Sequence, residues 1–337
     1  MSASEAFRAA LDRLPRVALA HLPTPVEPLP NLTRVLGGPA LYIKRDDLTS
    51  LATGGNKTRK LEYLMAQALS EGADTVLTAG STQSNHARQT AAAAARCGLA
   101  CHLVLYAPGG VAPATINGNL LLDHLLGATI HWTEERAPYA AGLARVEAEV
   151  RAAGGVPYTV PYGGSNAYGV VAYAAAFLEL ADQMAGEPPF DAVVFATSSG
   201  ATQAGLALGA QLVGLERTTA IYGISVDQPQ AALAPRISAL MRDGAALVSL
   251  DSLDLPPVLV DDRYRGGGYG VLGEPEREAI HLLARHEGIL VDPVYTGRAL
   301  AGLIDRIRRG EFRSDMRVLF WHTGGAAALF AYTDKLV

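Results

Sequence analysis

The chain has 337 residues, enough for one large domain or two of ordinary size. Hydrophobic residues make up 49% and charged residues 18%, so a sizeable core can be buried and global disorder is excluded. A net charge of −5, with no run of lysine or arginine, argues against nucleic acid or an anionic membrane surface as the main partner. The first segment, MSASEAFRAALDRLPRVALAHLP, carries acids and lacks the apolar stretch of a signal peptide. No run of 18 apolar residues occurs, so no membrane span is expected, and a soluble cytoplasmic protein is the expectation.

Asp46 and Asp47 form the one suggestive acid pair of the first half and read as a turn cap. Residues 53–62, TGGNKTRKLE, then set Lys57 after two glycines and an asparagine, at the mouth of a helix. A lysine held there can be stripped of solvent beside a phosphate-bearing cofactor. It can form an imine with an aldehyde, of which pyridoxal phosphate is the usual one. A strand is predicted over 75–78. The following AGSTQSNHAR (79–88) opens a helix over 86–96, where Ser84, Asn85 and nearby N–H groups can hold a carboxylate. Asn85 also offers an amide to a phenolic oxygen such as O3′ of a pyridoxal ring. His86 reads as a base or as a simple polar neighbour. Cys97 and Cys101, four apart with no histidine-rich set to complete a zinc site, read as reduced thiols, and no metal is expected.

Strands at 102–106 and 129–132 alternate with helices at 118–126 and 139–153. The strand at 192–195 leads into SSGATQAG (198–205) and a helix over 201–213. Free N–H groups there, with the hydroxyls of Ser198, Ser199 and Thr202, can cup a dianionic phosphate; a small-residue turn that packs helix on sheet is the plain alternative. Neither GxGxxG nor GxxxxGK[ST] is present, which weakens a nucleotide reading. After a strand at 220–225, the loop RYRGGGYG (263–270) reads as a mobile or tightly turned segment near a ligand. A helix at 274–286 follows. In VDPVYTGRAL (291–300), Tyr295 can reach a substrate or bond a carbonyl. The last strand, 318–321, runs into HTGG, where the Thr323 hydroxyl can face a ring nitrogen and His322 reads as packed. Such alternation predicts an α/β fold of open, mostly parallel sheets covered by helices, with ligand loops on one edge. No GxSxG elbow and no HExxH occurs.

With these segments assembled, the chain resembles the D-cysteine desulfhydrase and 1-aminocyclopropane-1-carboxylate deaminase family, pyridoxal-phosphate enzymes of the tryptophan-synthase β-like fold (fold type II). The likeness runs from about Leu22 to the C-terminus through LPTP, RDDLT, GGNKTRKLEYL, QSNHARQTAAAAA, NGNLLLD (117–123), GGSNAYG, SSGATQAG, DPVYTG and HTGGAAALFAY. The resemblance implies that Lys57 is the Schiff-base lysine and proton shuttle, and that Asn85 bonds O3′. It implies that Ser84, with the N–H groups of Asn85 and His86, holds the substrate carboxylate. Ser199, Gly200, Ala201 and Thr202 would cradle the phosphate. Tyr269 and Tyr295 would flank the substrate, with Thr296 beside it. Lys60 is similar to a cationic neighbour of the site, although Arg59 and Lys60 read equally well as solvated helix charges. The family implies a large domain of 1–55 and 166–337, a smaller inserted domain of 56–165, a cofactor in the cleft between them, and a homodimer.

Two positions separate members of the family. Ring-opening deaminases place an acid after the tyrosine of DPVY and a leucine in the last motif; this chain has Thr296 and Thr323, as desulfhydrases do. A threonine hydroxyl leaves the pyridine nitrogen neutral, which suffices when thiolate departs. The expected reaction is β-elimination of D-cysteine, or a close β-substituted amino acid, to pyruvate, ammonia and sulfide. L-Cysteate sulfo-lyase is the alternative and would need a sulfonate-binding arginine, for which Arg263, Arg265 and Arg298 are candidates. The cyclopropane deaminase fits less well, and a non-catalytic amino-acid sensor would not need the lysine and phosphate cup.

Overall fold

The computed structural model describes residues 2–137 and 139–337. Among the described residues, ten strands fall into two sheets. The larger contains β1 (Val26–Pro28), β2 (Ala40–Arg45), β7 (Ala192–Thr197), β8 (Ala220–Ser225), β9 (Leu259–Asp261) and β10 (Arg317–His322) in the order β1-β2-β10-β7-β8-β9. Only β1, antiparallel to β2, departs from parallel pairing. The smaller sheet is wholly parallel, with β3 (Thr75–Ser81), β4 (Ala100–Tyr106), β5 (Thr129–Thr133) and β6 (Pro157–Thr159) in the order β5-β4-β3-β6. Helices cover the sheets, which is why central strands such as AVVFAT are apolar on both faces. The predicted α/β class with open, mostly parallel sheets is therefore observed.

Close helix packing sets the floor of the larger sheet. Helix Ala201–Leu212 lies against helix Ala167–Gln183, and side chains at Gly205 or Gly209 would collide with Tyr173, Val170 and Phe177 of the neighbour. This contact fixes where the first turn of Ala201–Leu212 opens. Helix Lys57–Ser70 is buried on nearly every side, Arg59 and Lys60 included, so the solvated-charge reading of those two residues is corrected. Both thiols are free; Cys101 is buried and Cys97 half-buried, and burial pushes both upward. Among the described residues no helix is long and apolar enough to cross a membrane.

Candidate active site

The loop before helix Lys57–Ser70 is built on backbone that side chains would obstruct. Gly54 and Gly55 have φ of +67° and +127°. A β-carbon on Gly55 would collide with the Gln89 amide, and Gln89 and Arg88 both donate to the Gly54 carbonyl. Asn56 then joins three segments. Its N–H donates to Thr323 O at 3.0 Å, and its Nδ2 donates to Thr202 Oγ1 at 3.0 Å. Its Oδ1 accepts from Lys57 Nζ at 3.0 Å. The lysine is thereby held between the start of helix Ala201–Leu212 and the HTGG turn, in a cleft that Ser84, Asn85, Ser199, Gly200 and Thr323 also line.

Burial pushes the Lys57 amine down to about 8, Arg88 adds to the effect, and Asp292 opposes it. Only the unprotonated amine attacks an aldehyde. The rate at which cofactor-free protein takes up pyridoxal phosphate, followed by visible absorbance, should therefore rise with pH and level off above about pH 8. A rate still climbing toward pH 10, the range of a free lysine at about 10.4, would show that Lys57 is not so placed.

The cleft that holds Lys57 is also lined by Ser198, Ser199, Gly200 and Thr202. Gly200, at φ +105°, turns the chain into helix Ala201–Leu212, and Gly200 and Thr202 line the cleft. Ser199 Oγ accepts from Ser165 Oγ at 2.7 Å, and the Ala201 N–H donates to Ser165 Oγ at 3.4 Å. Any side chain on Gly163 would fill the space beside Ser199. A helix start lined by hydroxyls and glycines suits a dianion, so the donor set fits a cofactor phosphate. Ser165, inside the GGSNAYG motif, went unassigned in the sequence; its spacing from a helix start was the available signal.

Ser84 caps helix Asn85–Cys97, accepting the Ala87 N–H at 3.1 Å, and lines the cleft with Asn85 and His86. Thr78 gives its own proton to Val160 O at 2.9 Å, so at 2.8 Å His86 Nε2 donates to Thr78. Burial, then Lys57 and Lys60, hold His86 well below its ordinary value, so it is neutral. Its Nδ1 has no partner among the described residues. Lys60 is likewise driven down by burial and by Lys57, and its Nζ donates to Gly163 O at 3.1 Å.

Tyr295 lines the cleft and its hydroxyl lies 2.7 Å from that of Tyr269, which lies 3.2 Å from Ser81 Oγ. The loop 263–270 that presents Tyr269 is tightly turned and pinned. Arg298 Nη1 donates to Gly268 O at 3.0 Å, and Tyr332 donates to Gly270 O at 2.7 Å. Thr323 lines the cleft, and His322 is buried with its ring between Leu290 O and the Gly324 N–H. Thr296 does not line it. Its hydroxyl donates to Asp292 Oδ1 at 2.6 Å and its side chain is buried, so the expected substrate contact is corrected: the turn before helix Thr296–Arg308 consumes that group. The three candidate sulfonate ligands are also engaged elsewhere. Arg263 pairs with Asp261, Arg265 donates to Asp262 O, and Arg298 pairs with Glu276.

Residues 17–324 match the family model described as pyridoxal-phosphate dependent enzyme. The chain is 45% identical over 324 residues to the D-cysteine desulfhydrase of Salmonella choleraesuis (strain SC-B67), covering 96% of this chain and 97% of that one. A crystal structure of an ACC deaminase homologue superposes with a TM-score of 0.88 at 37% identity, covering 98% of each chain. The processed form of threonine deaminase isoform 2 from Solanum lycopersicum matches at TM-score 0.70 and 15% identity, over 99% of this chain and 92% of that one, a likeness of fold.

Proposed function

Because the chain belongs to the D-cysteine desulfhydrase and 1-aminocyclopropane-1-carboxylate deaminase family of pyridoxal-phosphate dependent enzymes, we propose that it is a lyase converting D-cysteine and water to pyruvate, ammonia and sulfide. The observation that carries this is Lys57 Nζ, held 3.0 Å from Asn56 Oδ1 with its basicity lowered, facing a hydroxyl-lined helix start.

When bound, the cofactor supplies an electron sink for charge at the substrate α-carbon, and a neutral ring nitrogen beside Thr323 suffices where a thiolate leaves. Ser199, Gly200, Ala201 and Thr202 would hold the phosphate, and Asn85 would donate to the ring oxygen. Ser84 Oγ and the N–H groups of Asn85 and His86 bind the substrate carboxylate, which orients the breaking bonds at the α-carbon. Lys57 Nζ would take the α-proton, and Tyr295, backed by Tyr269 and lining the same cleft, would assist. Release of sulfite from L-cysteate finds no support in the cleft, since the three candidate arginines point elsewhere.

Sulfide and pyruvate assayed from D-cysteine, beside sulfite assayed from L-cysteate, test the reading. Equal sulfide and pyruvate from D-cysteine alone is the expected result. Sulfite from L-cysteate without sulfide, or ketobutyrate from the cyclopropane acid alone, would overturn it. The domain division at 1–55 with 166–337 and at 56–165 follows the two sheets, and we propose it as the functional division, with the cleft between. A cytoplasmic homodimer also belongs to this proposal. Exposed Leu125 and Phe330 are apolar surface that a second copy would cover, and sedimentation at the mass of one chain would count against it.

A further inference from the structure

The NGNLLLD segment is shared with the family, yet none of its residues has a role in the site described so far. Asn119 stands near the start of helix Gly118–Leu125 and is fully buried. Its Nδ2 donates to Asn85 Oδ1 at 2.8 Å and to Gln83 O at 3.0 Å. Its Oδ1 accepts from Arg88 Nε at 3.1 Å, and its N–H donates to Gln83 Oε1 at 2.9 Å. Gly118, at φ +52°, makes the approach possible, because a side chain there would strike the Gln83 amide.

This amide has one orientation. Turned over, its oxygen would face the oxygens of Asn85 and Gln83, and its N–H groups would face the Arg88 guanidinium. Asn85 is fixed in turn. Its oxygen is committed to Asn119, which leaves Nδ2 as the donor in the cleft, next to the space that Gly325 leaves open. Arg88 is buried, and both oxygens of its neighbour Asp123 lack hydrogen-bond partners among the described residues. Burial pushes Asp123 up to about 8, so its negative charge is largely suppressed at neutral pH while Arg88 keeps its own.

We propose that Asn119 is a positioning residue for the cofactor: it fixes the Asn85 amide as a donor to the cofactor's ring oxygen and relays the charge of Arg88 to that bond. The inference rests on the pyridoxal-phosphate reading of the cleft. Hydrogen bonds in series polarise one another, and a bond backed by a cation is stronger than a neutral one. A donor at the ring oxygen favours its ionised form, so the adjoining nitrogen, linked to Lys57, gives up its proton at lower pH.

The test is Asn119→Asp. An aspartate offers only acceptors, so Asn85 turns its Nδ2 toward residue 119 and presents its oxygen to the cleft, while the new carboxylate pairs with Arg88 and keeps the packing. The pH midpoint of the bound cofactor's visible band should rise by about one unit, and the Kd for pyridoxal phosphate should weaken about tenfold, the worth of one charge-assisted hydrogen bond. Asn119→Ala should shift both in the same direction by less, and serves alone if the aspartate variant does not fold. In an Asn85→Ala background, Asn119→Asp should add no further shift, which a general packing defect would not reproduce. A midpoint and Kd unmoved in both single variants, or full additivity with Asn85→Ala, overturns the relay. A wild-type protein that gives no visible band with pyridoxal phosphate overturns the cofactor reading itself.

Discussion

Replacing Lys57 with alanine is expected to lower sulfide release from D-cysteine by at least about 10³-fold, since one group supplies both the covalent link and the base. Lys57→Arg should do no better, although it keeps the charge, because a guanidinium does not give up its proton at working pH. The structure makes this prediction sharper by offering a competitor. Lys60 lies one helical turn further on, is also buried, and is also driven below its ordinary value by burial and by Lys57. Its amine, however, is turned to the Gly163 carbonyl at 3.1 Å, whereas Lys57 opens on the cleft. Borohydride reduction of the loaded protein followed by peptide mapping should therefore tag Lys57. Tagging of Lys60, or an Lys57→Ala variant that keeps a tenth of its turnover, would overturn the assignment.

Strand-to-helix loops of small and hydroxyl residues were readable because each needs local backbone freedom beside a helix start, and SSGATQAG and QSNHAR announce that in one window. Buried strands such as β7 were readable for the same local reason. Strands β1, β6 and β9 have three residues each, too few to show a period, and β6 begins at a proline. Thr296 misled because its neighbours in sequence looked like a substrate-facing turn; the competing signal was Asp292, four residues upstream, whose carboxylate takes the N–H groups of Val294, Tyr295 and Thr296 as well as the Thr296 hydroxyl. Asn119 and Ser165 act through partners 34 and 34 or 36 residues away, and a place beside a helix start is the one local signal that either carries. Arg59 is the extreme case, since one of its partners, Glu179, is 120 residues away.

That arginine belongs to a network behind the site, and the second large effect is expected there. Asp46 was read as a turn cap, and its carbonyl does accept the N–H groups of Thr49 and Gly55. Its carboxylate turns inward, fully buried, and accepts from Arg59 Nη2 at 2.8 Å, Thr24 Oγ1 at 2.9 Å, Tyr173 at 2.6 Å and Trp321 Nε1 at 2.8 Å. Glu179 takes the other side of Arg59 at 2.9 Å and Lys44 Nζ at 2.6 Å. The network thus ties β2, helix Ala167–Gln183 and β10 to helix Lys57–Ser70, two residues from Lys57 at one end and two from Thr323 at the other. Asp46→Ala leaves two buried cations sharing one carboxylate, and should cost about 3–5 kcal/mol in the cofactor-free protein, measured as a lowered denaturant midpoint. Burial alone would raise the Asp46 carboxyl; Arg59 and Lys44 outweigh it and hold the group below its ordinary value. A carboxylate depressed on folding stabilises fully above its unfolded value of about 3.9 and loses that contribution as pH falls through the folded value. The gap between wild type and Asp46→Ala should therefore stay level from about pH 5 to 8 and close only in strong acid. Because the pair is dry, added salt should leave the gap nearly unchanged. A gap below about 1 kcal/mol, the range of a surface ion pair, would mean that these charges do not hold the helix that carries Lys57.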